Sequence, residues 1–495
     1  MTHHNTASRI SRRRLVQGTA WSAPVILASA TVPAWAASGE PTCSPALTLK
    51  PTATGFDDKA GAYTEWLVPE GVGRVRFDLV GGAGGAASSF TPRYLTDVTN
   101  AALAGGGAGA QLSGVLAVKS GDILRVWAGN GGVGSAAGAQ PALGGEGYAA
   151  GAQPALGGEG YAAGGDSTGS STATGAAQVV GTDSGYVYGA SGGGSSAVEL
   201  VRDGAVTVVA VAGAGGGGAQ LGTLTTHQSL FNAQPKDQLN PALRVALDGR
   251  DASTTAGGSA GGDLGTDNTG QGGMLMASPY QEFKPLDEDD KTLDMRFMVT
   301  GGTAGRSGVA GTLGEALAGV LDENNELKLM PMSESWFDSY DFPRYYRYEG
   351  DSVSDKEKGT GGADATGSYR GKGGSGALLS HTYGKLSLTS VASGGGAGYG
   401  GGGAGLNIWT VGSYYEAVFG RQVQFEGEGN IYSLSALSSG GGAGGSYINH
   451  EVVSDFALAT AQNANPTAGV RSPGSAALYS CTENATLNTP ITEGA

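Results

Sequence analysis

Short stretches of alternating apolar and polar positions recur along the chain. Val75-Arg76-Phe77-Asp78-Leu79-Val80 alternates, and so does Leu124-Arg125-Val126-Trp127. A period of two marks a strand with one buried face. Residues 198–201 and 206–211 are apolar and β-branched and flank Asp203-Gly204, which predicts a hairpin with a tight turn. Leu386–Val391 reads as a further strand. Residues 312–321 have instead the spacing of a short helix.

Between these strands the alternation gives way to glycine. Runs occur at 81–85, 105–107, 192–194, 213–218, 394–396, 400–403 and 440–442. One reading makes them flexible tethers. Tethers, however, separate whole domains, and here each run directly abuts a strand of five or six residues. The runs are therefore expected to belong to the fold. A glycine-rich chain can adopt the extended, three-residue helix of polyproline II type, which has no internal hydrogen bonds. Its backbone donors and acceptors must then find partners outside the helix. Neighbouring helices can supply them when no Cβ stands between the backbones. The expected class is mostly β: short antiparallel strands framing a bundle of glycine-rich polyproline-II-like helices.

Composition sharpens this picture. Of 495 residues, 92 are glycine, where average usage near 7% would give about 35. Charged residues make up only 15%, and the formal net charge is -15. Such an acidic chain repels nucleic acid and anionic lipid, so neither is an expected partner.

The first 36 residues carry Arg9, Arg12, Arg13 and Arg14 and no acidic residue. Ser11-Arg12-Arg13-Arg14-Leu15-Val16-Gln17 fits a twin-arginine export signal, the apolar segment 20–32 follows, and Ala34-Trp35-Ala36 supplies the small-x-small cleavage pattern. The apolar segment is too short and broken for a stable membrane anchor, which needs about 20 apolar residues. Without residues 1–36 the chain keeps 25 basic and 44 acidic residues, a net charge of -19. The expected location is extracellular or at the cell surface. There, the chain's two cysteines, Cys43 and Cys481, are expected to form a disulfide. Closing so long a loop is worth up to roughly 5 kcal/mol in the chain-entropy account. Two free thiols are the alternative. Two cysteines cannot build a zinc site alone, so no metal and no cofactor is expected.

Two further features stand out. The thirteen residues 136–148 recur unchanged as 149–161, which reads as length variation in a tolerant surface loop, since a solenoid needs at least about three repeats. In residues 275–358, glycine thins while charge and aromatics rise. The chain thus divides into a signal peptide at 1–36, a first glycine-rich β half at 37–274, an irregular α+β insertion at 275–358, a second glycine-rich half at 359–484 and a disordered tail at 485–495.

Several short motifs carry a resemblance. Trp66-Leu67-Val68-Pro69-Glu70-Gly71-Val72 leads into the strand before Gly81-Gly82. Val118-Lys119-Ser120-Gly121-Asp122-Ile123-Leu124 forms a "V-x-x-G-D-x-L" turn. Gly193-Gly194-Ser195-Ser196-Ala197-Val198, Gly398-Tyr399-Gly400 and Gly444-Gly445-Ser446-Tyr447-Ile448 follow in order. This arrangement resembles bacterial glycine-rich surface proteins, and is similar to the glycine-rich extracellular domain of the anaplastic lymphoma kinase receptor family. The resemblance covers about 60–270 and 360–480 and implies a β framework around polyglycine helices at a cell surface.

Chemistry is thinly represented. The G-x-S-x-G pattern occurs at 165–169, 189–193 and 257–261, but in none does it have the strand–turn–helix context of a nucleophile elbow. A phosphate-binding loop is absent, and the acidic run at 287–291 lacks calcium-loop spacing. The recognition candidate is the aromatic run 336–348, with Trp336, Tyr340, Arg344, Tyr345, Tyr346 and Tyr348 as ligand-binding residues. Aromatic faces beside Asp and Arg suit a glycan or a protein at a cell surface. The competing reading is a small core covering a glycine bundle that has no side chains of its own to bury. Trp409, Tyr414, Tyr415 and Phe419 form a second cluster with the same ambiguity. The sequence thus predicts an exported structural or adhesive protein and not an enzyme, with an exported enzyme acting from the 275–358 insertion as the alternative.

Overall fold

The computed structural model describes residues 43–51, 63–87, 105–134, 155–167, 177–178, 186–187, 189–220, 223–225, 255–256, 273–277, 295–321, 327–331, 346–352, 359–366, 370–383, 386–414, 416–418, 421–423, 431–467 and 469–482. All of them belong to one compact unit, Cys43–Glu483. Residues 1–36, expected to be an export signal, and the tail expected at 485–495 lie outside the described residues. Among the described residues there are strands and no helices, and hence no helix long and apolar enough to cross a membrane.

Ten strands build the best-packed region: β1 (Cys43–Leu49), β2 (Thr64–Leu67), β3 (Val72–Val80), β4 (Ala110–Ala117), β5 (Ile123–Trp127), β6 (Ser196–Arg202), β7 (Ala205–Ala212), β8 (Tyr447–Ile448), β9 (Val453–Thr460) and β10 (Ser475–Thr482). They form two antiparallel five-stranded sheets, in the orders β1-β10-β3-β4-β9 and β2-β5-β6-β7-β8. The alternation read from the sequence sets the buried faces. Val75, Phe77 and Leu79 of β3 join Leu124 and Val126 of β5, Val198 and Leu200 of β6, and Leu478 of β10 in one core. Each such large side chain contributes roughly 1.5–3 kcal/mol on burial. Phe77 stands opposite Gly114 of β4. A Cβ at Gly114 would meet both the Phe77 ring and Val453 at 2.7 Å, so this position takes no side chain.

The predicted hairpin is present as β6–β7. Asp203 and Gly204 both have positive φ, 52° and 79°, the two-residue turn whose twist suits paired strands. The two cysteines are joined as expected. Cys43 of β1 and Cys481 of β10 are register partners and are disulfide-bonded across 438 residues.

Where the strands run out, the hydrogen-bond pattern changes period. After β3, the amides of Gly81 and Gly84 donate to the carbonyls of Ala110 and Gly107. Those of Gly82 and Gly85 donate to Gly194 and Ser191, and that of Ala83 to Ser472. Donors three residues apart thus address the same neighbour, and each run serves three neighbours in rotation. The run 394–399 repeats the scheme: Gly394 and Ala397 bond to Ala190 and Gly193, Gly395 and Gly398 to Gly374 and Gly371, Gly396 and Tyr399 to Gly442 and Gly445. These runs are buried. A Cβ at Gly84, Gly216 or Gly441 would lie far inside van der Waals contact distance of a carbonyl oxygen on the next run. The glycines are therefore required by contact, and their peptide groups are satisfied by one another.

The passage from two-residue to three-residue pairing leaves donors out of step, and serines serve them. Ser196 Oγ accepts from the Gly129 amide at 2.8 Å and donates to the Val80 carbonyl at 2.6 Å. Ser446 Oγ accepts from Gly213 at 3.0 Å, and Ser439 Oγ from Leu406 at 2.8 Å.

Two expectations are corrected here. The short helix expected over residues 312–321 is not formed, because Ala316–Leu321 is a strand in the antiparallel order Gly273–Ala277, Met295–Val299, Ala316–Leu321, Leu327–Pro331. Gly314 and Gly319 disfavour a helix, and the preceding segment already lies among the glycine runs, with the amides of Gly311 and Gly314 donating to Gly401 and Ala404. The tandem repeat is no mere surface loop either. Its first copy lies outside the described residues. In the second, Ala155, Gly157 and Gly158 are buried, and the Gly158 amide donates to the Gly192 carbonyl.

Candidate functional site

Of the residues singled out for recognition, Trp336, Tyr340, Arg344 and Tyr345 lie outside the described residues, as do Tyr415 and Phe419. Tyr346 and Tyr348 lie on the strand Tyr346–Ser352. Its register sets Tyr346 opposite Tyr414 and Tyr348 opposite Gly412, while Trp409 stands opposite Asp351. The sheet thus brings part of the first aromatic run alongside part of the second.

A different set of rings is assembled in detail on the outer face of the β2-β5-β6-β7-β8 sheet. Alternation along β5 sends Leu124 and Val126 into the core and leaves Arg125 and Trp127 on the other face. On β6 it does the same for Ala197 and Glu199. Trp127, Ala197 and Val211 form a buried cluster against which Tyr161, Val208, Tyr399 and Tyr447 pack. Trp127 meets Tyr63 at a centroid distance of 5.2 Å and Tyr161 edge-on at 5.1 Å. Tyr399 and Tyr447 are stacked at 4.0 Å, with 23° between their planes.

Charges flank these rings in opposite-sign pairs. Register places Glu65, Arg125 and Glu199 side by side on three adjacent strands. Arg125 Nε donates to Glu65 Oε1 at 3.1 Å, and its guanidinium lies 4.8 Å above Tyr63. Arg370, in a turn with φ of 47°, lies 5.3 Å above Tyr161, and its Nη1 is 4.0 Å from Glu199 Oε1. The Glu199 side chain is only 5% exposed. It accepts a hydrogen bond from the Tyr161 hydroxyl. Burial, and then the Glu199 charge, push that phenol up to about 12, against the opposing pull of Arg370. Tyr161 therefore stays protonated as a donor.

This arrangement is closed. The buried carboxylate has two partners, and guanidinium groups lie against one face each of Tyr63 and Tyr161. The rings form a small core that covers the glycine runs, a role the sequence suggests for a different aromatic cluster. Among the described residues no three His, Cys, Asp or Glu side chains converge as metal ligands. One of the G-x-S-x-G serines is structural: Ser191 Oγ accepts from the Val133 amide at 2.8 Å and donates to the Leu156 carbonyl at 2.7 Å. A second, Ser167, is buried, and its hydroxyl has no hydrogen-bond partner among the described residues. The third, Ser259, lies outside the described residues.

Sequence reasoning missed this cluster because its members are scattered between residues 63 and 447, with no shared run to mark them. A signal was nevertheless present. Trp127, Tyr161, Tyr399 and Tyr447 each stand within three residues of a glycine, at a point where a strand or turn meets a run. Compared with protein-family models and with curated proteins, the chain matches none.

Proposed function

We propose that the chain is an exported structural or adhesive cell-surface protein that presents a recognition surface on a polyglycine scaffold. The observation that carries this reading is the three-residue rotation of backbone donors among the glycine runs. A helix with three residues per turn and no internal hydrogen bonds produces that rotation, which supports a bundle of polyproline-II-like helices. Such a bundle has no side chains for chemistry and offers rigidity instead. The disulfide between the two ends of the described unit suits an oxidising compartment, in line with the export signal and with the resemblance to bacterial glycine-rich surface proteins.

The Trp127–Tyr161 cluster is internally satisfied, so recognition is assigned to the aromatic run at 336–348. Glycans and proteins at a cell surface are its ligand classes. A glycan array and whole-cell binding with the chain lacking residues 1–36 test this. Binding is expected, and the double substitution Trp336→Ala, Tyr346→Ala is expected to abolish it. Binding that survives the double substitution in a folded protein overturns the assignment.

A further inference from the structure

The stacked pair Tyr399 and Tyr447 is not needed for recognition as proposed, and its geometry has a chemistry of its own. Tyr399 sits inside a glycine run, while Tyr447 opens the edge strand β8. Tyr399 is fixed from both sides. Its amide donates to the Gly445 carbonyl at 2.8 Å, and its carbonyl accepts from the Gly308 amide at 3.1 Å. A Cβ at Gly308 would lie 3.2 Å from Tyr399 Cε1, so the glycine turn is moulded to the ring. Tyr447 is held by pairing with Val211 of β7. The rings therefore meet face to face at 4.0 Å between backbones that cannot drift apart. Both are half-buried.

We propose that Tyr399 and Tyr447 are an oxidative cross-linking site, at which the two phenols are joined by a carbon–carbon bond between ring positions ortho to the hydroxyls. Each phenol gives up one electron and its hydroxyl proton to become a phenoxyl radical. The two radicals combine to form the new bond. Each ring then moves its ortho hydrogen to oxygen and regains aromaticity. The protein loses two hydrogen atoms in all. With hydrogen peroxide as terminal oxidant, acting through a haem peroxidase, those two hydrogens and the peroxide give two waters.

Two features favour this pair over others. Radical coupling is limited by encounter, and groups held in contact react as if at effective concentrations of roughly 10⁵–10⁸ M. The pair also has an entry point, because Tyr63 is 44% exposed and leads through Trp127 to Tyr161 at ring spacings of 5.2 and 5.1 Å. Tyr161 and Tyr399 pack on the same buried cluster. An electron vacancy created at the surface can thus reach the stacked pair. The bond would tie a glycine run to the edge of a sheet, a covalent staple beyond the disulfide.

The full chain, dilute, is exposed to a photogenerated ruthenium(III) trisbipyridyl oxidant with persulfate as acceptor, then digested and mapped by mass spectrometry. A peptide linking Tyr399 to Tyr447, two hydrogens lighter than its parts, is expected in the monomer at a yield independent of protein concentration. Blue dityrosine fluorescence should appear with it. Tyr447→Phe and Tyr399→Phe keep the stack and should each lose the linked peptide. Linkage found only between chains or at other tyrosines, or tyrosine oxidation with no 399–447 peptide in the wild-type protein, overturns the proposal.

Discussion

A glycine in this protein is a contact, and the contact is to a backbone oxygen. Gly216 lies between the runs of Gly107 and Gly441. Its carbonyl accepts from the Gly107 amide at 2.9 Å, and a Cβ on it would strike the Gly441 carbonyl. That oxygen belongs to the backbone and cannot step aside as the end of a side chain can. Gly216→Ala is therefore expected to cost about 3 kcal/mol, the upper part of the usual range for overpacking. Urea denaturation would measure it. Alanine itself is not forbidden in a run, for Ala214, two residues away, is fully buried. The demand on Gly216 is that of one position and not of composition. The sequence announces that side chains must be absent, but a glycine carries nothing that names its neighbour. That Gly84 meets Gly107 was not legible for this reason, whereas Phe77 could be assigned to a core from its alternation alone.

At the scale of elements, the strands were legible because one face of each is apolar. The burial of the repeat was not, because identity between two copies says nothing about where either one packs. Residues 155–161 of the second copy pack among the glycine runs. Deleting thirteen residues, 136–148, leaves the same sequence as deleting the second copy. The connection from Gly134 to Ala155 then shrinks from 20 residues to 7. Ser191 Oγ bonds to both Val133 and Leu156, so the ends are close and seven residues suffice. The deletion is expected to leave the fold intact and to change stability by less than about 1 kcal/mol, from loop closure alone. A melting curve checks this.

The turn between β4 and β5 gives a pH prediction. Asp122 accepts from the Lys119 amide at 2.7 Å and from Arg202 Nη2 at 2.6 Å, and the Arg202 hydrogen bonds hold its carboxyl below the usual aspartate range. A lowered folded-state pKa stabilises the protein above the unfolded value, about 3.9, and that contribution is lost as pH falls through the folded value. Asp122→Asn is expected to cost about 1–2 kcal/mol at pH 7, since it removes the charge from a hydrogen-bonded pair whose guanidinium still reaches solvent. The gap from wild type should narrow below about pH 4. Asp78 acts in the opposite sense, because burial raises its carboxyl despite Arg76. Its contribution is present at acid pH and is lost as pH rises through its raised value. Urea midpoints of the two Asn variants from pH 3 to 7 separate these effects.

For the molecule as a whole, sheets and glycine runs are one structure with two hydrogen-bond periods. The sheets hold the apolar core, the aromatic cluster packs beside the runs, and the disulfide joins the first and last of the described strands. Ordering so much glycine costs more entropy per residue than ordering any other type. The cross-bonded runs must therefore form together, since a single run has no hydrogen bonds of its own. The most direct test is native-state hydrogen exchange of the backbone amides. The amides of Ala214, Gly217, Gly394, Gly396 and Gly402 each donate to a carbonyl on another run. They should be protected to the same degree as amides of β3 and β4. Exchange of these amides at unstructured-chain rates, with β3 and β4 still protected, would contradict the account and make the runs tethers.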